Sequence, residues 1–154
     1  MPRERTFKLL APALAIAFIA IQFIPIARTN PSPNGSAVSP TEIQQTLTRA
    51  CYDCHSNQTR WLWYSRVAPV SWYIAHEVNL GRQELNFSEW DSYLAITKYR
   101  KLLWMGRTLE DRTMPPAIYL SMHREAYLSP SDRQVLERWS ADEAETYFAA
   151  GKKR

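Results

Sequence analysis

Residues 39–55 read Ser-Pro-Thr-Glu-Ile-Gln-Gln-Thr-Leu-Thr-Arg-Ala-Cys-Tyr-Asp-Cys-His. Ser39, Pro40, Thr41 and Glu42 have the form of a capping box with proline at the first helical position. Ile43, Leu47, Ala50 and Cys51 follow at helical spacing, which predicts a helix over about 40–52 with one apolar face. The same grammar recurs downstream. Pro69 opens VSWYIAHEVNL, with Gly81 suited to its C-cap. Ser88 and Asp91 form a second capping box, and the helical pattern then continues to Gly106. Ser129-Pro130 opens a last helix with Val135, Leu136 and Trp139 on one face. No β pattern or internal repeat interrupts this series, and the 4 glycines leave few sites for tight hairpins. The body is expected to be an all-α domain of about 115 residues.

The first helix runs into Cys51-Tyr52-Asp53-Cys54-His55, which has the C-x-x-C-H form of c-type haem attachment. Two thiols three positions apart can add to the two vinyl groups of one haem, and the adjacent imidazole can reach the iron. Three other readings compete. A thioredoxin-like redox pair needs a βαβ context, which the helical pattern lacks. A zinc site needs ligands beyond the 2 cysteines of this chain. A plain Cys51–Cys54 disulfide suits an exported domain but leaves His55 without a role. The expected cofactor is therefore one covalent haem c, held by Cys51 and Cys54, with His55 as proximal iron ligand.

The candidates for the sixth ligand are Met105, Met114, Met122, His76 and His123. Pro115 and Pro116 follow Met114, stiffening the backbone that presents its sulfur. Met114 is the expected distal ligand and His76 the alternative. Methionine opposite histidine raises the reduction potential and suits electron transfer. Met105, beside Trp104, reads as core, and His123 as a surface or packing residue. Trp61, Trp63, Tyr64, Trp72 and Tyr73 crowd the stretch after the motif, where flat apolar rings could pack on a haem. Arg60, Arg66 and Arg82 are candidates for pairing a propionate, with a solvated surface as the competing reading.

The formal net charge is +4. Residues 1–28 carry four basic side chains and one acidic one, leaving a nearly neutral remainder. That distribution argues against a nucleic-acid partner. Leu9 to Ala27 is a run of 19 residues without a charge, about 28 Å long as a helix. With Arg3, Arg5 and Lys8 before it, the run is expected to be a transmembrane helix with the body outside the cytoplasm. A cleaved signal peptide competes with an uncleaved anchor. The length of the run, and the lack of a clean small-x-small site after it, favour the anchor. The expected organisation is a signal anchor over 1–28, a Pro/Ser/Asn-rich linker over 29–38 and a haem-binding domain over 39–154.

The chain resembles the bacterial haem-binding domain family related to mono-haem c-type cytochromes. The resemblance covers about residues 40–140. It rests on Ala50-Cys51-Tyr52-Asp53-Cys54-His55-Ser56, Trp61-Leu62-Trp63-Tyr64-Ser65, Ala68-Pro69-Val70-Ser71-Trp72, Gly81-Arg82, Leu85-Asn86-Phe87-Ser88 and Met114-Pro115-Pro116. It implies a cytochrome c-like helical domain, anchored in the bacterial inner membrane by a single pass, with the haem in the periplasm. It implies Cys51 and Cys54 as attachment points and His55 as axial ligand. Related domains also occur linked to cytochrome c peroxidase-like proteins, so redox proteins of that kind or of respiratory chains are the expected partners.

Two functions are weighed. In the first the chain is an electron carrier rather than an enzyme, with His55 and Met114 on the iron. In the second it is a peroxidase-like haem enzyme or a redox or gas sensor with a weak or open sixth site, for which His76-Glu77 is the one suggestive acid/base pair.

Overall fold

A computed structural model describes residues 2–35 and 39–152, with no account of the side chains before Leu10. The elements are α1 (Pro2–Ile21), α2 (Thr41–Ala50), α3 (Tyr52–His55), α4 (Val70–Glu84), α5 (Ala95–Glu110), α6 (Ala117–Met122) and α7 (Pro130–Gly151). Short 3-10 turns lie at Trp63–Arg66, Phe87–Ser92 and Arg124–Ala126. No strand occurs among the described residues, so the expected all-α class is what forms.

The chain divides into two compact units. One combines Met1–Thr29 with Arg60–Glu77, the other Asn30–Thr59 with Val78–Arg154. The division falls inside α4. Part of the expected 29–38 linker is packed within the second unit: the Asn30 amide donates to Thr59 O at 3.0 Å, and Asn34 N donates to Ser88 O at 2.7 Å. Residues 36–38 lie outside the described residues.

In the second unit the core forms where α5 packs along α7. Leu102, Met105 and Leu109 face inward from α5, and Leu136, Ser140 and Ala144 from α7. These spacings stack side chains on one helical face. The small residues of α7 allow close approach, and a Cβ built on Gly106 would lie 3.0 Å from the Ser140 hydroxyl. Ile43, Leu47 and Ala50 of α2 complete the core. Leu47, Leu102 and Leu136 have no exposed surface, and burying each contributes about 1.5–3 kcal/mol. Arg49 joins α2 to the approach of α7. It donates to the carbonyls of Glu125 and Tyr127, both at 2.7 Å, and pairs with Asp132 at 3.2 Å.

The helix termini depart from the sequence expectations in instructive ways. Ser129-Pro130 opens the last helix as expected, the structure adding a capping box with Asp132 as reciprocal partner, and α7 runs unbroken past Ser140. The Ser39 box does not form: Pro40 is the N-cap, and the Ser39 hydroxyl donates to Gln44 Oε1 at 3.0 Å instead. The Ser88 box is also replaced. Asn86 caps Ser88 N, the segment becomes a 3-10 turn, and α5 starts only at Ala95. Gly81 is not a C-cap, because α4 continues through it to Glu84, where Lys101 Nζ donates to the Glu84 carbonyl.

In the first unit α1 ends at Ile21, so the apolar run is helical over Leu9–Ile21 and not to Ala27. No helix among the described residues is long and apolar enough to cross a membrane. The charged residues Arg3, Glu4, Arg5 and Lys8 occupy the start of α1, and Gln22 and Pro25 follow its end. Proline disfavours helix at the residue before it. The Gln22 amide donates to Phe18 O at 2.9 Å and Ala68 O at 3.2 Å, while its oxygen accepts from Ala68 N at 2.9 Å. The one strongly polar residue of the run is thus a two-way clamp onto the backbone just before Pro69. The aromatic cluster at 61–73 belongs to this unit. Trp63 stands 74% exposed, whereas the buried Trp72 indole N–H meets no acceptor among the described residues.

Candidate haem site

The chain leaves α2 at Cys51 (φ −124°, ψ −34°) and re-enters helix at once. His55 N and Cys54 N donate to Cys51 O at 2.8 and 3.1 Å, so α3 is a single turn. Four residues do not sustain a helix alone, and the turn is gripped by side chains from elsewhere in the same unit. The Tyr52 ring stacks on Phe87 at 5.4 Å, and its hydroxyl accepts from the Gln44 amide at 2.6 Å. The buried Asp53 carboxylate accepts from the Tyr119 hydroxyl at 2.7 Å. The Ser56 hydroxyl donates to Tyr52 O at 2.7 Å. The Asn57 amide donates to Glu89 at 3.0 Å and accepts from Asn86 at 2.8 Å.

Arg82, a candidate for a propionate, has a structural task. Its guanidinium donates to Ser56 O at 2.9 Å, Thr59 Oγ1 at 2.9 Å and Asn30 Oδ1 at 3.0 Å, fastening the loop that leaves the motif. Gly81 brings α4 against Cys54: a Cβ there would lie 2.6 Å from Cys54 O. The glycine is required by this approach, not by a helix end.

The two non-motif positions, Tyr52 and Asp53, therefore point into the protein and leave Cys51, Cys54 and His55 half-buried at the surface of the unit. No disulfide joins Cys51 to Cys54. Burial pushes the Cys51 thiol up to about 12; the neighbouring Cys54 adds to this and Arg49 opposes it. His55 Nδ1 lies 3.0 Å from Leu85 O. A carbonyl only accepts, so Nδ1 carries the hydrogen and Nε2 keeps its lone pair, the tautomer that ligates a metal with an oriented ring. Burial lowers the His55 pKa, against the raising influence of the Leu85 and Gly81 carbonyls. Two thiols on one helical turn beside an oriented imidazole fit a covalently held haem. Among the described residues no group of three or more His, Cys, Asp or Glu side chains is placed to hold a metal ion.

Met114 lies in the turn between α5 and α6, 37% exposed, and its carbonyl accepts from Arg133 Nη1 at 3.1 Å. Pro116 caps α6, and Tyr119 on α6 reaches Asp53 inside the motif. The Met-Pro-Pro element is therefore tied to the attachment turn by one hydrogen bond across 66 positions of sequence. His76 is exposed on α4 and belongs to the other unit. His123 is buried, stacked on Tyr119 at 4.1 Å, with Nδ1 3.2 Å from Glu125. Met105 is core, as expected. Asp53 and Tyr119 are the contributors that sequence reasoning missed.

A family model described as a haem-binding domain matches residues 16–142, from within α1 to within α7. The match covers most of the chain, and the chain belongs to this haem-binding family. No curated protein and no solved structure matches it.

Proposed function

We propose that the chain is a single-haem c-type electron carrier, held at the bacterial inner membrane by its N-terminal segment with the haem domain in the periplasm. The observation that carries this reading is the attachment turn: Cys51 and Cys54 half-buried beside an imidazole whose Nδ1 is committed to Leu85 O. Cys51 and Cys54 would hold the group through thioethers, each S–H adding across one vinyl. His55 Nε2 would supply the proximal ligand and Met114 the distal one, with His76 as the alternative. When bound, the iron supplies one-electron ferrous–ferric chemistry, and its potential is set by the axial ligands and by burial. This chain's own residues hold position: Leu85 O orients the imidazole, Asp53 and Tyr119 link the attachment turn to α6, and Arg133 fixes the Met114 carbonyl.

The basic flank of the apolar segment supports an orientation with the body outside the cytoplasm, where redox proteins of respiratory or cytochrome c peroxidase-like type are the fitting partners. The test is a pyridine haemochrome spectrum and intact mass of chain purified from membranes. One haem per chain, resistant to acid-acetone extraction and lost in Cys51→Ser/Cys54→Ser, is the expected result. Extractable haem or none removes the c-type reading. Fast carbon monoxide binding to the reduced protein would favour an open sixth site over a carrier.

A further inference from the structure

We infer that Leu62–Tyr73 is a second membrane contact, an interfacial belt that rests on an anionic phospholipid surface beside the end of the N-terminal apolar segment. This inference rests on the membrane-attachment reading above and adds where, and against what, the chain touches lipid.

The first observation is charge. The unit formed by Met1–Thr29 and Arg60–Glu77 contains six basic and two acidic residues, while the rest of the chain contains thirteen of each. Arg3, Arg5 and Lys8 precede the apolar run and belong to its cytoplasmic flank; on the belt's side of the run the unit carries Arg28, Arg60 and Arg66 against Glu77 alone, a net of +2. Arg60 and Arg66, both exposed, bracket the aromatic stretch. Cationic side chains beside an anionic leaflet are each worth about 1 kcal/mol of attraction.

The second is exposed apolar surface in the same stretch. Leu62, Trp63, Val67, Val70 and Tyr73 are all exposed, with Trp63 at 74%. Tryptophan and tyrosine concentrate at bilayer interfaces, where ring and polar tip are both accommodated.

The third is the clamp. Gln22 holds Ala68 by hydrogen bonds in both directions, so the belt is fastened to the end of the apolar segment. There Phe23 and Ile24 are also exposed. Val67 adjoins the clamp, and Trp63 is five residues away, at most about 17 Å of chain. The helical part of the run, Leu9–Ile21, is only about 20 Å long, short of a hydrocarbon core of about 30 Å. A segment that short gains from additional contact at the surface.

The experiment uses the full-length holoprotein in phosphatidylglycerol–phosphatidylcholine vesicles containing a headgroup-proximal diazirine phospholipid, with flotation and peptide mapping after irradiation. The expected result is co-flotation with label in both the 10–24 and 62–73 peptides. Trp63→Ser should weaken partitioning about tenfold, and Gln22→Leu should abolish label at 62–73 while keeping it on α1. Flotation with label confined to α1 overturns the inference and leaves the anchor standing. Absence of flotation overturns the anchor reading itself. A belt shielded without vesicles in a species of twice the chain mass would assign it to a second copy, and would also overturn the inference.

Discussion

Replacing Gly81 by alanine tests whether the attachment turn is set by the approach of α4. The Cβ would lie 2.6 Å from Cys54 O, 3.0 Å from Cys54 Cβ and 3.1 Å from Cys54 C. Ordinary contact begins at 3.4 Å, so the backbones must separate by about 0.8 Å at the oxygen. Two of those three atoms are backbone, and no rotamer change relieves the clash. Overpacking of this kind costs up to about 3 kcal/mol, and alanine in place of a mid-helix glycine returns about 1 kcal/mol. The expected net loss is about 2 kcal/mol, or a fall of about 10 °C in Tm for a unit of this size. Because the displaced residue is Cys54, the fraction of chains carrying covalent haem should fall with stability. The assay is thermal unfolding followed by circular dichroism, with intact mass on the same samples. Gly106→Ala is the control. Its Cβ meets only the end of the Ser140 side chain, at 3.0 Å, and the change should stay within about 0.5 kcal/mol of neutral. Wild-type stability and full haem loading in Gly81→Ala would refute the reasoning.

Met114→Ala should abolish a methionine–iron charge-transfer band and lower the reduction potential, whereas His76→Ala should change neither; the opposite pattern in visible spectra would exchange their roles. Tyr119→Phe leaves the buried Asp53 carboxylate without its hydroxyl donor and should cost about 1–3 kcal/mol in urea unfolding, with Tyr119→Trp no better, since an indole cannot place its N–H at the same point. Burial alone would raise the Asp132 carboxyl, but the Ser129 amide and hydroxyl and the Arg49 guanidinium outweigh it and hold the group below its ordinary 3.8. A depressed folded-state pKa stabilises above the ordinary value, so the urea midpoint should fall as pH drops through 3.8 and below. Ser129→Ala should flatten that dependence, and an unchanged slope would show the cap is not its source.

The candidate site was readable because C-x-x-C-H is local: three chemistry-bearing side chains in five positions need no knowledge of the fold. Helix existence was equally local: α2, α4, α5 and α7 all form where apolar spacing indicated a helix, although α5 starts later, at Ala95, and α4 ends later, at Glu84. What could not be read was every feature decided at long range. Gly81 looks like a helix end because nothing nearby in sequence reveals that Cys54 will lie against it. Gln22 looks like a blemish in an apolar run until Ala68 supplies its partner, 46 positions away. The Ser39 and Ser88 boxes failed because their hydroxyls are engaged elsewhere: Ser39 donates to Gln44 Oε1, and Ser88 accepts from Asn57 N. Asp53 occupies a position that the haem motif leaves unspecified, so only the structure could show that it receives Tyr119.

The brevity of α3 has a consequence in time. The turn and the residues just after it are held by Leu85, Asn86, Phe87 and Tyr119 through their contacts with His55, Asn57, Tyr52 and Asp53, and these four partners leave the ribosome after it. During that interval the two thiols travel on an unclosed chain, open to modifying enzymes. Arrival of the later residues ends this window by burying the turn's Tyr52 and Asp53. Chains stalled before Gly81 should therefore be alkylated at Cys51 as fast as in urea, while completed haem-free chains react slowly. Equal rates in the two would show that emergence sets no schedule for loading.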